Sequence, residues 1–78
     1  MAYKPIDAIR IGKRLKELRE ANNVTMERLS SDLRISKSAI SMYEIGKRIP
    51  RDEIKIRLAD YFHEPVEWIF FQREQHES

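Results

Sequence analysis

Lys37, Ser38, Ser41 and Met42 have the side-chain chemistry needed to meet the edges of base pairs. A lysine ammonium can donate to guanine O6 and N7, a serine hydroxyl can give or accept, and an apolar tip can touch a thymine methyl. On a helix, this spacing turns the four residues outward, while Ala39, Ile40 and Tyr43 at i, i+1 and i+4 form the apolar face. No acidic side chain interrupts the outer face. Lys47 and Arg48 follow directly after Gly46, placed to meet phosphate.

Two short helices have to position these residues. Thr25 can cap the first, whose Leu29 and Leu33 fall at i and i+4. Ser36 can cap the second, which spans 36–45, with Glu44 near its close and Gly46 able to take positive φ at its end. Only residues 33–35 separate the two, so the helices must cross steeply. That is a helix-turn-helix arrangement, whose second helix enters the major groove. The same spacing also fits a plain pair of core helices with a solvated outer face, since this geometry occurs in proteins that bind no DNA.

The longer pattern carries a resemblance. Ile11-Gly12-Lys13-Arg14-Leu15-Lys16-Glu17-Leu18-Arg19 resembles the first helix of the Cro and phage-repressor class of regulators, the xenobiotic-response-element type. Ile35-Ser36-Lys37-Ser38-Ala39-Ile40-Ser41-Met42-Tyr43-Glu44 resembles that family's recognition helix. Gly46-Lys47-Arg48-Ile49-Pro50 is similar to its following loop, and Leu58-Ala59-Asp60-Tyr61-Phe62 to its fourth helix. The resemblance covers roughly Ile9 to Phe70. It implies an all-α, five-helix, lambda-repressor-like DNA-binding domain of bacterial or phage origin. Its partner would be a double-stranded, palindromic operator bound by a homodimer. Lys37, Ser38, Ser41 and Met42 would contact bases; Met26, Ser36, Lys47, Arg48 and Arg14 would contact phosphate, with Arg10 beside Arg14. The resemblance also pairs Arg19 with Glu44, joining the first helix to the end of the recognition helix.

Four positions depart from the family pattern. Met26 replaces a glutamine that helps hold the DNA backbone, leaving its peptide N–H and the helix N-terminus for that contact. Arg28 replaces the glutamate of a capping box. Arg34 occupies the turn position usually held by glycine, and is strained if the backbone there is left-handed. Ile45 replaces an asparagine. The changes at Met26 and Ile45 favour the competing class, a protein-interaction module such as an antitoxin or adaptor of the same fold.

The whole chain sets further bounds. Its 78 residues make one small domain, 1–78, whose core is marginal enough to invite a partner subunit. Net charge is +2, but Lys and Arg outnumber Asp and Glu 11 to 6 through Arg48, and are outnumbered 7 to 4 from Ile49 onward. A basic front with an acidic back suits a domain that turns one side to a polyanion. Without cysteine there is no disulfide framework or thiolate metal site. The apolar runs are too short to span a membrane and the start does not read as a signal peptide, so a cytoplasmic location is expected. His63 has only His76 as a possible companion, so no metal is expected, and no cofactor. No enzyme is expected either: the chain lacks a glycine-rich phosphate loop, and no histidine lies near a nucleophile and carboxylate. Regulation would come from concentration, a protein antagonist or a region outside this chain.

In chain order, residues 1–6 read as a flexible arm that Pro5 keeps from being helical, and Asp7 as the cap of a helix running to about Ala21. Ala8, Ile11, Leu15 and Leu18 share its apolar face. Gly12 costs about 1 kcal/mol there, which close approach by another helix would offset. A fourth helix is expected from Arg51 or Asp52 to Phe62, and a fifth from Pro65 to Phe70 or Phe71. Residues 72–78 form a polar tail. At about 100° per residue, Val66, Ile69 and Phe70 face the core, and Trp68 and Phe71 face away as a candidate dimer interface. The alternative is that the arm, through Tyr3 and Ile6, folds back over the two aromatics.

Overall fold

The computed structural model describes residues 5–71. Five helices follow in order: α1 Pro5–Ala21, α2 Met26–Leu33, α3 Lys37–Glu44, α4 Asp52–Phe62 and α5 Glu67–Phe71. No strand occurs among the described residues. Pro5 opens α1 instead of barring it, because a first-turn residue needs no N–H donor and proline's φ is already helical. Asp7 therefore sits within the first turn, where its charge suits the positive helix end, and not at the position before the helix. The arm expected over 1–6 overlaps α1 at residues 5 and 6; Tyr3, His76 and the tail 72–78 lie outside the described residues.

The two short helices are capped at the expected positions. The Thr25 hydroxyl accepts from the Arg28 N–H at 3.0 Å, and the Ser36 hydroxyl from the Ala39 N–H at 3.0 Å. Four helix ends turn through left-handed residues, three of them not glycine: Asn23 at φ 57°, Arg34 at 56°, His63 at 59° and Gly46 at 83°. A left-handed non-glycine residue costs roughly 1–2 kcal/mol, so Arg34 carries the strain its position implied.

One core joins the elements. Ile11, Leu15 and Leu18 of α1 meet Leu29, Leu33, Ile40 and Tyr43 of the central pair, with Leu58 and Phe62 of α4 beneath. At Gly12 the backbone of α1 packs directly on the end of α3: a Cβ there would lie 2.4 Å from the carbonyl oxygens of both Tyr43 and Glu44. No side chain fits, and the helix cost of glycine is offset by this approach. The α2–α3 turn is tied down by Ser30, whose hydroxyl donates to the Ile35 carbonyl at 2.6 Å, and by Arg57 of α4, which donates to the Leu33 carbonyl.

The fifth helix departs from expectation. It is a single π-helical stretch, Glu67–Phe71. Its i→i+5 bonding turns each residue through less than the 100° of an α-helix. Ile69 and Phe70 are buried, as expected. Trp68 is not paired with Phe71 on an outer face: it packs partly buried against the core, with the Arg14 guanidinium 4.6 Å from its ring centroid. Phe71 stays 59% exposed, with Lys55 Nζ 4.8 Å from its ring centroid.

Candidate nucleic-acid interface

The residues with base-reading chemistry sit on α3 as a graded face. Lys37 and Ser38 in the first turn are exposed; Ser41 and Met42 one turn later are half-buried. Ile40 and Tyr43 on the opposite side are 2% and 7% exposed, so the core fixes which way α3 can face. The helix presents its N-terminal turn most openly, the part of a recognition helix that meets base edges in this docking mode.

Both ends of this face carry groups suited to an anionic backbone. Ser36 is exposed, and its hydroxyl, already accepting from Ala39, still has a proton to donate. Beyond α3, the N–H groups of Lys47 and Arg48 both donate to the Met42 carbonyl, at 3.0 and 3.3 Å. This tight exit around Gly46 leaves both basic side chains exposed. Met26 opens α2 with its side chain packed against the core, so only its peptide N–H faces the helix N-terminus.

Arg14 is placed elsewhere. Its guanidinium stacks on Trp68 and donates to the Trp68 carbonyl, and Arg10, one turn earlier, donates to the Phe70 carbonyl at 3.5 Å. The two arginines thus satisfy carbonyls of α5, a task suited to cations at a helix C-terminus. Sequence spacing puts them at i and i+4 but gives no sign that α5 ends beneath them.

Glu27 joins this surface without any signal in the sequence. Its Oε2 lies 3.0 Å from Lys37 Nζ, across the two helix N-termini. This pairing, led by the hydrogen bond from Lys37, holds the Glu27 carboxyl below its ordinary range. Both side chains are more than half exposed, so water and salt screen the contact. A separation of ten positions matches no helical repeat, and only the fold reveals it. On the far side of α2, Asp32 accepts from the Tyr61 hydroxyl at 2.6 Å and from Arg28 Nε at 3.1 Å, linking α2 to α4.

The frame beneath the face is an ion pair. Arg19 on α1 donates to Glu44 at the end of α3 through Nε and Nη2, and to the Val24 carbonyl through Nη1 at 3.0 Å. Among the described residues, no group of three or more acidic or histidine side chains could hold a metal ion, and no helix is long and apolar enough to cross a membrane.

Comparison with known proteins agrees with this geometry. A family model described as a helix-turn-helix domain matches residues 12–73. Two archaeal proteins named as candidate HTH-type transcriptional regulatory proteins are each 36% identical over 55 residues, or 70% of this chain: one from Pyrococcus horikoshii and one from Pyrococcus abyssi. The match spans only 18% and 17% of their respective lengths. No solved structure matches the chain at a significant level.

Proposed function

Since this chain belongs to the helix-turn-helix domain family, we propose that it is a DNA-binding transcriptional regulator, acting as a repressor, that reads the major groove with α3. The observation that carries this reading is the α3 face. Lys37, Ser38, Ser41 and Met42 lie opposite a buried Ile40 and Tyr43, with Ser36 before them and Lys47 and Arg48 after. The names of the two Pyrococcus proteins support the regulatory part of the reading. In this docking mode Lys37 and Ser38 approach base edges, and Ser36, Lys47, Arg48 and the N-terminus of α2 at Met26 approach phosphates. Arg14 contributes to that backbone contact only if it leaves Trp68.

Dimerisation on a two-fold operator belongs to the same proposal, through Phe71 more than Trp68. Phe71 and Ile56, 59% and 54% exposed, line one shallow groove between α4 and α5 together with Val66. A single module covers only about 600–1,000 Å² of DNA contact, which a second half-site would double. The test of DNA binding is affinity for mixed duplex DNA across a salt series. For a DNA-binding domain log K should fall linearly with log salt, by about 0.9 per phosphate contact. A flat response would favour a protein-interaction role, as in an antitoxin or adaptor.

A further inference from the structure

A basic cleft runs on from Arg48, at the end of the α3 face, and none of Lys37, Ser38, Ser41 and Met42 lines it. Arg34 in the α2–α3 turn, Arg48 in the following loop, and Arg51 and Arg57 at the start and middle of α4 converge on one cleft of about 420 Å³. Glu53 is the one acidic residue in the lining, so four arginines against one glutamate leave it at +3. Its floor is apolar, from Ile35, Tyr43 and Ile54.

Four guanidinium groups repel one another in such a cleft, and its low-dielectric floor focuses their field. Arg57 is partly committed to the Leu33 carbonyl. Arg34, Arg48 and Arg51 have no side-chain hydrogen bond or ion pair within the described residues, and Arg51, as N-cap of α4, supplies no side-chain acceptor to that helix. Arg34 reaches the cleft from a left-handed backbone position at φ 56°, which favours glycine. Planar guanidinium forks match the oxygens of phosphate or carboxylate two at a time, and a lining at +3 suits the multiply charged phosphate over a single carboxylate.

We propose that this cleft is a binding site for a phosphate group, held by Arg34, Arg48 and Arg51 with Arg57 at its back. The phosphate comes either from a DNA backbone flanking the strand that α3 reads, or from a free phosphate compound acting as an effector. The first source rests on the DNA-binding reading above; the second does not.

The test is titration of the full chain with inorganic pyrophosphate at fixed ionic strength, followed by backbone and arginine side-chain NMR. The comparison variant carries Arg34→Gly and Arg51→Ser. Glycine suits the left-handed position and serine suits a helix N-cap, so both changes remove charge while favouring the fold. Saturable shifts are expected at Ile35, Arg48, Arg51 and Ile54. At Ile35, Arg48 and Ile54 the affinity they report should fall about tenfold or more in the variant, at least the loss expected from one charge-assisted hydrogen bond. Shifts that do not saturate, that spread evenly to Lys13 and Lys16, or that persist unchanged in the variant overturn the site. Mixed duplex DNA then separates the sources. A salt slope lowered by about 0.9 or more in the variant assigns the phosphate to DNA, and an unchanged slope with lost pyrophosphate binding assigns it to a free compound. Wild-type protein that binds pyrophosphate but not DNA overturns the DNA-binding reading while keeping the site.

Discussion

Arg19 and Glu44 meet fork to fork, Nε to Oε2 at 2.7 Å and Nη2 to Oε1 at 3.1 Å, with side chains only 12% and 5% exposed. The Glu44 hydrogen bond raises the Arg19 pKa above its ordinary value, so the guanidinium keeps its charge. It fixes the C-terminal end of α3 to α1, and the orientation of α3 depends on that attachment. Glu44→Ala strands the guanidinium and should cost about 3–5 kcal/mol, whereas replacing both partners with leucine should cost clearly less. Urea unfolding of the two variants checks this, and a loss under about 1 kcal/mol for Glu44→Ala would contradict it.

Gly12 supports the same attachment. Gly12→Ala should gain about 1 kcal/mol of helix propensity but place a Cβ 2.4 Å from two backbone oxygens. The clash should dominate, with a net loss of about 1–3 kcal/mol. A domain of this size should then melt about 4–8 °C lower for each kcal/mol of stability removed. A variant that melts higher would mean that α1 and α3 do not approach as described.

Gly12 and the capped helix starts show what is legible in the residues alone. A glycine among Ala8, Ile11, Leu15 and Leu18 already implies a neighbouring backbone, and Thr25 and Ser36 mark their helix starts, because caps and apolar repeats are local signals. The same logic misplaces the start of α1, since Pro5 is compatible with a first turn and incompatible only with an interior. It also puts Trp68 and Phe71 together, because it assumes α-helical winding where α5 is π-helical. The Glu27–Lys37 pair, the hold of Arg10 and Arg14 on α5 and the arginine cleft have no local signal. Each joins residues whose separation matches no repeat, so only packing brings them together.

Glu27 should restrain Lys37 on the candidate interface. Removing its charge with Glu27→Gln releases the ammonium and one source of repulsion toward phosphate. Affinity for mixed duplex DNA should rise by up to about fivefold, the upper end for an exposed pair. Fluorescence anisotropy on labelled duplex measures this, and weaker binding would show that Glu27 supports the interface instead.

The acid limb of stability should depend on Asp32. The Tyr61 hydroxyl, opposed by partial burial and aided by Arg28, holds this carboxyl below its ordinary value of 3.8. A depressed carboxylate contributes stability that is fully present above its unfolded pKa and is lost as pH falls through the folded one. Asp32→Asn should therefore flatten the loss of stability below about pH 4 relative to the wild type. Identical acid limbs in thermal melts from pH 7 to pH 2 would remove Asp32 from the α2–α4 link.

Phe71→Glu should weaken self-association while leaving helicity intact, because the side chain is exposed and its removal opens no core. Trp68→Ala should instead lower stability, since Trp68 packs against the core beneath Arg14. Sedimentation velocity with circular dichroism separates the two effects. A wild type that remains monomeric at high micromolar concentration would restrict any dimer to the DNA-bound state.

Whether α3 reads base sequence is decided by selection from a random duplex pool, run in parallel on the wild type and on Lys37→Ala. The wild type should enrich a defined motif, with half-sites about 34–36 Å apart if two copies bind. Lys37→Ala should relax preference at particular base pairs, by about 1–3 kcal/mol where the ammonium had donated to a base edge, while positions facing other residues keep theirs. Enrichment of no motif by the wild type, or a variant whose affinity falls equally for every sequence, would contradict base reading by α3.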